Sequence, residues 1–281
     1  MSNIRVAIIG GSGIYKLDAI KVINEIIVNT PFGETSAPVM ECKVDESSFY
    51  FLPRHGHGHK FTPTEVNYRA NIFALKKLGV DTVVSISAVG SLQEEYAPKD
   101  FVLVDQFIDW TKGFRKRTFF DDGIVGHVSN ANPVELSLQK RLYEACQKSG
   151  VTSHLGGTYI CIEGPQFSTK AESKIYRGFG ASVIGMTNVP EAFLAKEAGM
   201  AYSTVAMVTD YDCWKEEHCT VQEIMDVMKS NYISAQKFVI AAIPDLVNNP
   251  IKFQPENKYA VMTDPTLHTP SHKEILEIVL N

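Results

Sequence analysis

Short, β-branched apolar runs alternate with segments of helical spacing along most of this chain, and few folds accommodate that alternation. Val6-Ala7-Ile8-Ile9, Phe49-Tyr50-Phe51-Leu52, Thr82-Val83-Val84-Ser85-Ile86, Phe101-Val102-Leu103-Val104, Thr158 to Ile162, Ser182-Val183-Ile184 and Tyr202 to Val208 read as strands. Helical patterns lie between them: Val66 to Leu78 closed by Gly79, Leu136 to Lys148 closed by Gly150, Ala171 to Phe179, Glu191 to Ala198, and a long one over Val221 to Leu246 with a bend near Ser234. Strands that recur between helices need crossover connections. The expected fold is therefore α/β, a central mixed, mostly parallel sheet flanked by helices. No internal repeat and no long linker is visible, so residues 1–281 read as a single domain. The part with the weakest pattern is a tail, residues 249–281, punctuated by Pro250, Pro255, Pro265 and Pro270, with a last helix over Ser271 to Leu280.

In open α/β sheets, ligands bind outside the carboxyl ends of the strands. Here those ends are polar: Gly10-Gly11-Ser12-Gly13, Arg54-His55-Gly56, Ser87-Ala88-Val89-Gly90-Ser91, Gly185-Met186-Thr187 and Thr209-Asp210-Tyr211-Asp212. Glycines, hydroxyls, a guanidinium, an imidazole and two carboxyls suit an anion together with a neutral hydrogen-bonding ring. Each motif alone leaves alternatives. The glycine loop can bring backbone N–H groups against a phosphate or be only a tight turn, and it fits neither the dinucleotide nor the G-x-x-x-x-G-K-[ST] pattern. Arg54-His55-Gly56-His57-Gly58-His59 can bind an anion through the arginine fork. On an extended segment its alternate histidines would face one side and could instead hold a metal, or the stretch is a solvated loop. Asp210 and Asp212 can do acid/base work or cap the next turn.

The formal charge of −5 argues against a nucleic-acid partner, which leaves a basic balance. No apolar run approaches the roughly 18 residues of a membrane helix, so no membrane association is expected. Met1-Ser2-Asn3-Ile4-Arg5 leads straight into a strand, without a signal-peptide pattern. Five cysteines without any CxxC fit a reducing, cytoplasmic compartment.

Taken together and in order, Ile8-Ile9-Gly10-Gly11-Ser12-Gly13, Thr30-Pro31-Phe32-Gly33, Arg54-His55-Gly56, Val66-Asn67-Tyr68-Arg69-Ala70-Asn71, Asp105-Gln106-Phe107-Ile108-Asp109, Glu163-Gly164-Pro165-Gln166-Phe167, Met186-Thr187-Asn188-Val189-Pro190-Glu191 and Thr209-Asp210-Tyr211-Asp212-Cys213-Trp214 resemble the purine nucleoside phosphorylase superfamily, and within it the trimeric 5′-methylthioadenosine phosphorylases. The resemblance runs from the start of the chain to about Trp214 and does not extend into the tail. It implies a purine nucleoside phosphorylase-like fold, a homotrimer, a nucleoside and inorganic phosphate as substrates, no metal or other cofactor, and a place in purine and methionine salvage.

It also implies residue roles. Phosphate would lie among Ser12, Arg54, His55, Ser87, Ala88 and Thr187. Phe167 would stack on the purine and Met186 would lie under the ribose. Asp210 and Asp212 would face the purine edge, with Asp210 as the general acid for N7. Val221 and Ile224 would line an apolar pocket for the 5′ substituent, with Ser168 and Val221 setting specificity. His127 would reach a neighbouring subunit's site. An aspartate at 210, where relatives acting on 6-oxopurines carry Asn, points to a 6-aminopurine. Gly185 stands where the animal methylthioadenosine phosphorylases have Asn, and in this it is similar to the inosine/guanosine branch. The alternative is therefore a phosphorylase of 6-oxopurine nucleosides or methylthioinosine. A non-catalytic binding protein is a third reading, against which Asp210 stands.

Overall fold

The computed structural model describes residues 4–11, 20–215 and 221–281. In chain order the elements are β1 (Val6–Gly10), β2 (Lys21–Ile26), β3 (Val39–Val44), β4 (Ser47–Pro53), α1 (Tyr68–Lys77), β5 (Thr82–Ser91), β6 (Phe101–Leu103), β7 (Gln106–Trp110), α2 (Leu136–Lys148), β8 (Ser153–Leu155), β9 (Thr158–Ile162), α3 (Lys170–Gly178), β10 (Val183–Gly185), α4 (Asn188–Glu197), β11 (Ala201–Asp210), α5 (Val221–Asn248) and α6 (Pro270–Val279). The strands join one sheet in the order β2-β3-β4-β1-β5-β10-β9-β7, with β11 pairing β5 and β6, and β8 pairing β6. Most pairings are parallel, as the alternation requires. The antiparallel ones are β2–β3, β3–β4, β5–β10 and β6–β11.

Successive residues of a strand face opposite sides of the sheet, so each central strand feeds two apolar layers. Ile8, Phe51 and Val84 pack with Leu138 and Leu142 of α2 and Phe238 and Val239 of α5. Ile9, Leu52 and Val83 pack with Ile72 and Phe73 of α1, Ala192 and Ala195 of α4 and Ile275 and Val279 of α6. Strand β1 is buried along its whole length, which is why its sequence is an unbroken apolar run. Strands β2 and β7 carry polar residues and sit at the two ends of the main strand order, so they lack the buried signature that marks a strand in sequence.

β5 creates the site. Its first half runs beside β1, up to the Ile9–Ser85 pair. Its far end runs antiparallel to β10, with Gly90 opposite Ile184 and Ser91 opposite Val183. Between these stretches, Ile86 to Val89 pair with no described strand on that edge, while β11 continues along the other. The exchange of neighbours is a topological switch point, the place where such sheets bind ligands.

One sequence expectation changes. α5 is one helix from Val221 to Asn248 with no break at Ser234; the residue that interrupts its hydrogen-bond ladder is Pro244, which has no N–H to give Ile240. The tail folds back onto the body. Thr269 caps α6, which carries Pro270 in its first turn, and Asn257 Nδ2 donates to the carbonyls of both Glu197 and Val279. Among the described residues, no helix is long and apolar enough to cross a membrane.

Candidate active site

A cavity of about 280 Å³ opens at the switch point. Its wall is made by the carboxyl ends of β4, β5, β10 and β11, by the Phe167–Ser168 loop after β9 and by one face of α5. A larger cleft of about 910 Å³ lies by Arg5, Asp81 and Gly199, which precede β1, β5 and β11, and thus at the opposite end of the sheet from the one that serves ligands.

Arg54, His55, Ser87, Ala88 and Thr187 line the cavity. The Arg54 guanidinium is committed. Nε donates to Glu191 Oε2 at 2.7 Å, and Nη2 to Glu191 Oε1 at 2.9 Å and to Ser85 Oγ at 2.7 Å. Nη1 donates to the Ile86 carbonyl at 3.1 Å. The fork that the sequence directed at an anion is thus turned on Glu191, which leaves one Nη1 hydrogen without a partner among the described residues. The histidine segment is not extended either. Gly56 and Gly58, both at φ 71°, turn it at once, so His55 and His59 stack at 4.2 Å rather than alternating along a strand. No three metal-ligating side chains gather among the described residues. His55 Nδ1 lies 2.9 Å from the Phe61 carbonyl, which fixes the hydrogen on Nδ1 and leaves Nε2 as an acceptor. Burial, helped by the Arg54 charge, pushes the imidazole down to about 4, so His55 is neutral at pH 7. Ser87 Oγ donates to Asn188 Oδ1 at 3.2 Å. Thr204 Oγ1 lies 3.3 Å from both Asn188 Oδ1 and the Ser85 carbonyl, so Asn188 Oδ1 has a second donor within reach.

Asp210 and Asp212 line the same cavity, as do Phe167, Ser168 and Met186. The β5–β11 register slips between Val208 and Asp210, a bulge at Thr209 of the sort that re-aims a side chain. Gly90 makes room for it: a Cβ there would lie 3.3 Å from Asp210 Oδ1 and 3.0 Å from Ile184. Asp210 Oδ1 accepts the Asp212 N–H at 2.7 Å and Oδ2 the Thr209 hydroxyl at 2.6 Å. Burial raises the Asp210 carboxyl above the usual range; these two hydrogen bonds pull it back, and Asp212 adds to the rise. The capping role open in sequence is therefore real and coexists with exposure to the cavity. Ser168 Oγ is buried without a hydrogen-bond partner among the described residues, and Phe167 is 69% exposed.

Ile224 reaches the cavity from α5. Ser12 lies outside the described residues, as does the Val221 side chain. His127 is exposed on the bridge between Gly126 and Val261 and does not line this cavity. Sequence reasoning missed Met228 and Tyr232, although Ile224, Met228 and Tyr232 stand at i, i+4 and i+8 of one helix, the spacing of a shared face. It also missed Arg115, 1% exposed, which donates to the carbonyls of Ile162, Glu163, Met186 and Val189 and to the Glu163 carboxylate. Arg115 ties the strand ends that carry Phe167 and Met186 to one point.

Residues 5–244 match the family model of the phosphorylase superfamily. The chain is 46% identical over 279 residues to the S-methyl-5′-thioadenosine phosphorylase of Geobacter sulfurreducens, covering 98% of this chain and 97% of that protein. It is 49% identical over 248 residues to the enzyme of that name from Hyperthermus butylicus, covering 88% and 90%. Its structure is similar to that of a methylthioadenosine phosphorylase sourced from an antarctic soil metagenomic library, with a TM-score of 0.93 and 42% identity over 99% of this chain and 100% of that one. The methylthioadenosine phosphorylase from Schistosoma mansoni in complex with adenine gives a TM-score of 0.82 and 35% identity over 88% and 93%.

Proposed function

The chain belongs to the phosphorylase superfamily, and from that premise we propose that it splits 5′-methylthioadenosine with inorganic phosphate into adenine and 5-methylthioribose 1-phosphate. It is a pentosyltransferase. The observation that carries the base preference is Asp210, a carboxyl group of raised pKa at the cavity wall. A protonated carboxyl can give its hydrogen to N7 of the leaving purine, and a carboxylate oxygen can accept from a 6-amino group. A 6-oxopurine offers no such donor, so the alternative is not favoured.

The reaction breaks the bond from C1′ to N9 and forms one from C1′ to a phosphate oxygen. In our assignment phosphate lies below C1′, between Ser87, Ala88, Thr187, the second Nη1 hydrogen of Arg54 and Ser12. Because Glu191 neutralises Arg54, hydroxyls and backbone donors carry most of the anion recognition. Neutral His55 presents Nε2 as an acceptor, which suits the remaining O–H of monohydrogen phosphate. As C1′ takes on oxocarbenium character, the adjacent anion stabilises it. The electron pair of the breaking bond flows into the purine, N7 takes the Asp210 proton, and the Thr209 hydroxyl and Asp212 N–H then stabilise the carboxylate left behind. Phe167 stacks on the base, Met186 supports the ribose, and Ile224 with Val221 receives the methylthio group. Ser168, with its uncommitted hydroxyl, and Val221 set specificity.

The reaction so written consumes nucleoside and phosphate and draws on no further cofactor. We also propose a cytoplasmic homotrimer serving purine and methionine salvage, in which His127 meets a neighbouring subunit's site. Light scattering at about three times the chain mass is expected; a monomer would remove the role of His127. The activity itself is tested by incubating the protein with 5′-methylthioadenosine, with and without phosphate, and following adenine. Release that does not need phosphate would make it a hydrolase.

A further inference from the structure

The resemblance marks Gly185 as a departure toward the 6-oxopurine branch, yet its side-chain space is occupied by Tyr159, which meets Thr187 of the phosphate set. A Cβ on Gly185 would stand 2.0 Å from Tyr159 Oη and 2.5 Å from Cζ, closer than any side chain is tolerated. Tyr159, on β9, is fully buried, its ring edge-on to Phe107 at 5.8 Å. Its phenol oxygen accepts the Thr187 N–H at 3.4 Å, and the Ser87 and Thr187 hydroxyls are near enough to pull the phenol's pKa down against the rise that burial causes. A buried phenol stays neutral, so Oη has one hydrogen to give and lone pairs to accept with. Thr187, which donates to Oη, and Ser87, whose hydroxyl lies nearby, both belong to the set assigned to phosphate.

We propose that Tyr159 is a positioning residue for phosphate, holding Ser87 and Thr187 in register from beneath, and that Gly185 is glycine to admit the Tyr159 ring rather than to choose the base. The proposal rests on the phosphate assignment made above. β9 and β10 are adjacent parallel strands with Gly185 beside Cys161, and the phenol end of Tyr159, two residues earlier on β9, fills the space that a side chain on Gly185 would take. A side chain at 185 and a phenol at 159 compete for one space.

The test is initial-rate kinetics of adenine release from 5′-methylthioadenosine over a range of inorganic phosphate, for the wild type, Tyr159→Phe, Gly185→Ala, Tyr159→Leu and Gly185→Ala/Tyr159→Leu, with thermal unfolding of each. Tyr159→Phe keeps the ring and removes Oη. The KM for phosphate is expected to rise about 3- to 10-fold, the size of one net hydrogen bond, while the KM for the nucleoside stays within about twofold. Gly185→Ala is expected to lower Tm in the wild type and not in the Tyr159→Leu background. The ratio of 5′-methylthioadenosine to methylthioinosine turnover is expected to stay within about twofold in every variant. An unchanged phosphate KM in Tyr159→Phe overturns the positioning role. A neutral Gly185→Ala in the wild type overturns the pairing, and a large shift of the base ratio returns Gly185 to base selection. Failure of the underlying reading shows elsewhere, in wild-type turnover that is independent of phosphate.

Discussion

Arg54 and Glu191 bind each other through both ends of the fork, at 2.7 and 2.9 Å, with each side chain 2% exposed. Ser85 and Tyr202 also donate to the same carboxylate, so the pair is the centre of a buried polar network beneath the cavity floor. Removing one partner strands the other charge in the interior, at a cost of about 3–5 kcal/mol. Glu191→Gln and Arg54→Ala are each expected to lower Tm by roughly 6–20 °C. Thermal unfolding checks this, and a change of under about 2 °C would contradict the network. Loss of phosphate use in Arg54→Ala must therefore be read against its loss of stability.

Arg115→Lys keeps the charge and loses the planar array of donors that joins the β9 and β10 ends. The Phe167 and Met186 supports should drift together, so the expected result is a lower Tm and a rise of about tenfold in the nucleoside KM. A variant with wild-type KM would show that the loop holds its place without Arg115.

Glu197 is a buried carboxyl pushed up to about 7 by desolvation, even though Thr118 Oγ1 and the Phe119 N–H donate to it. The folded chain holds this proton where the unfolded chain, at about 4.5, has lost it. Its contribution to stability is complete below about 4.5 and is lost as pH rises through about 7. Glu197→Gln should narrow the difference in Tm between pH 5 and pH 8. An unchanged difference would exclude Glu197 as its source.

The central strands and most helices were legible because burial on both faces leaves unbroken β-branched runs, as in Val6 to Ile9, and because Gly79 and Gly150 mark helix ends. Polar β2 and β7 at the sheet ends leave no such trace. The cavity was legible as a set of strand ends. What escaped was everything that depends on a partner distant in sequence. Nothing near Arg54 reveals that its fork is spent on Glu191. Arg115 sits among Lys112, Lys116 and Arg117 in a run that reads as solvated. Nothing in the sequence near Gly185 shows that Tyr159 packs against it.

Asp210→Asn retains an acceptor for the Asp212 N–H, so the turn survives. The amide cannot deliver a proton to N7, and kcat for 5′-methylthioadenosine is expected to fall by roughly 10²–10⁴-fold. Its N–H₂ group can donate to O6, so relative turnover of methylthioinosine should rise. In the wild type, kcat should decline as pH rises past the elevated pKa of Asp210, because the acid form is the active one. That alkaline limb should be absent from the variant. A wild-type kcat in Asp210→Asn would reduce Asp210 to its capping role.

The most direct test of the account is the rate of adenine release from 5′-methylthioadenosine as a function of inorganic phosphate. The expected result is saturable dependence on phosphate, with 5-methylthioribose 1-phosphate formed in equal amount to adenine. Adenine released at full rate without phosphate, or no release at any phosphate concentration, would contradict it.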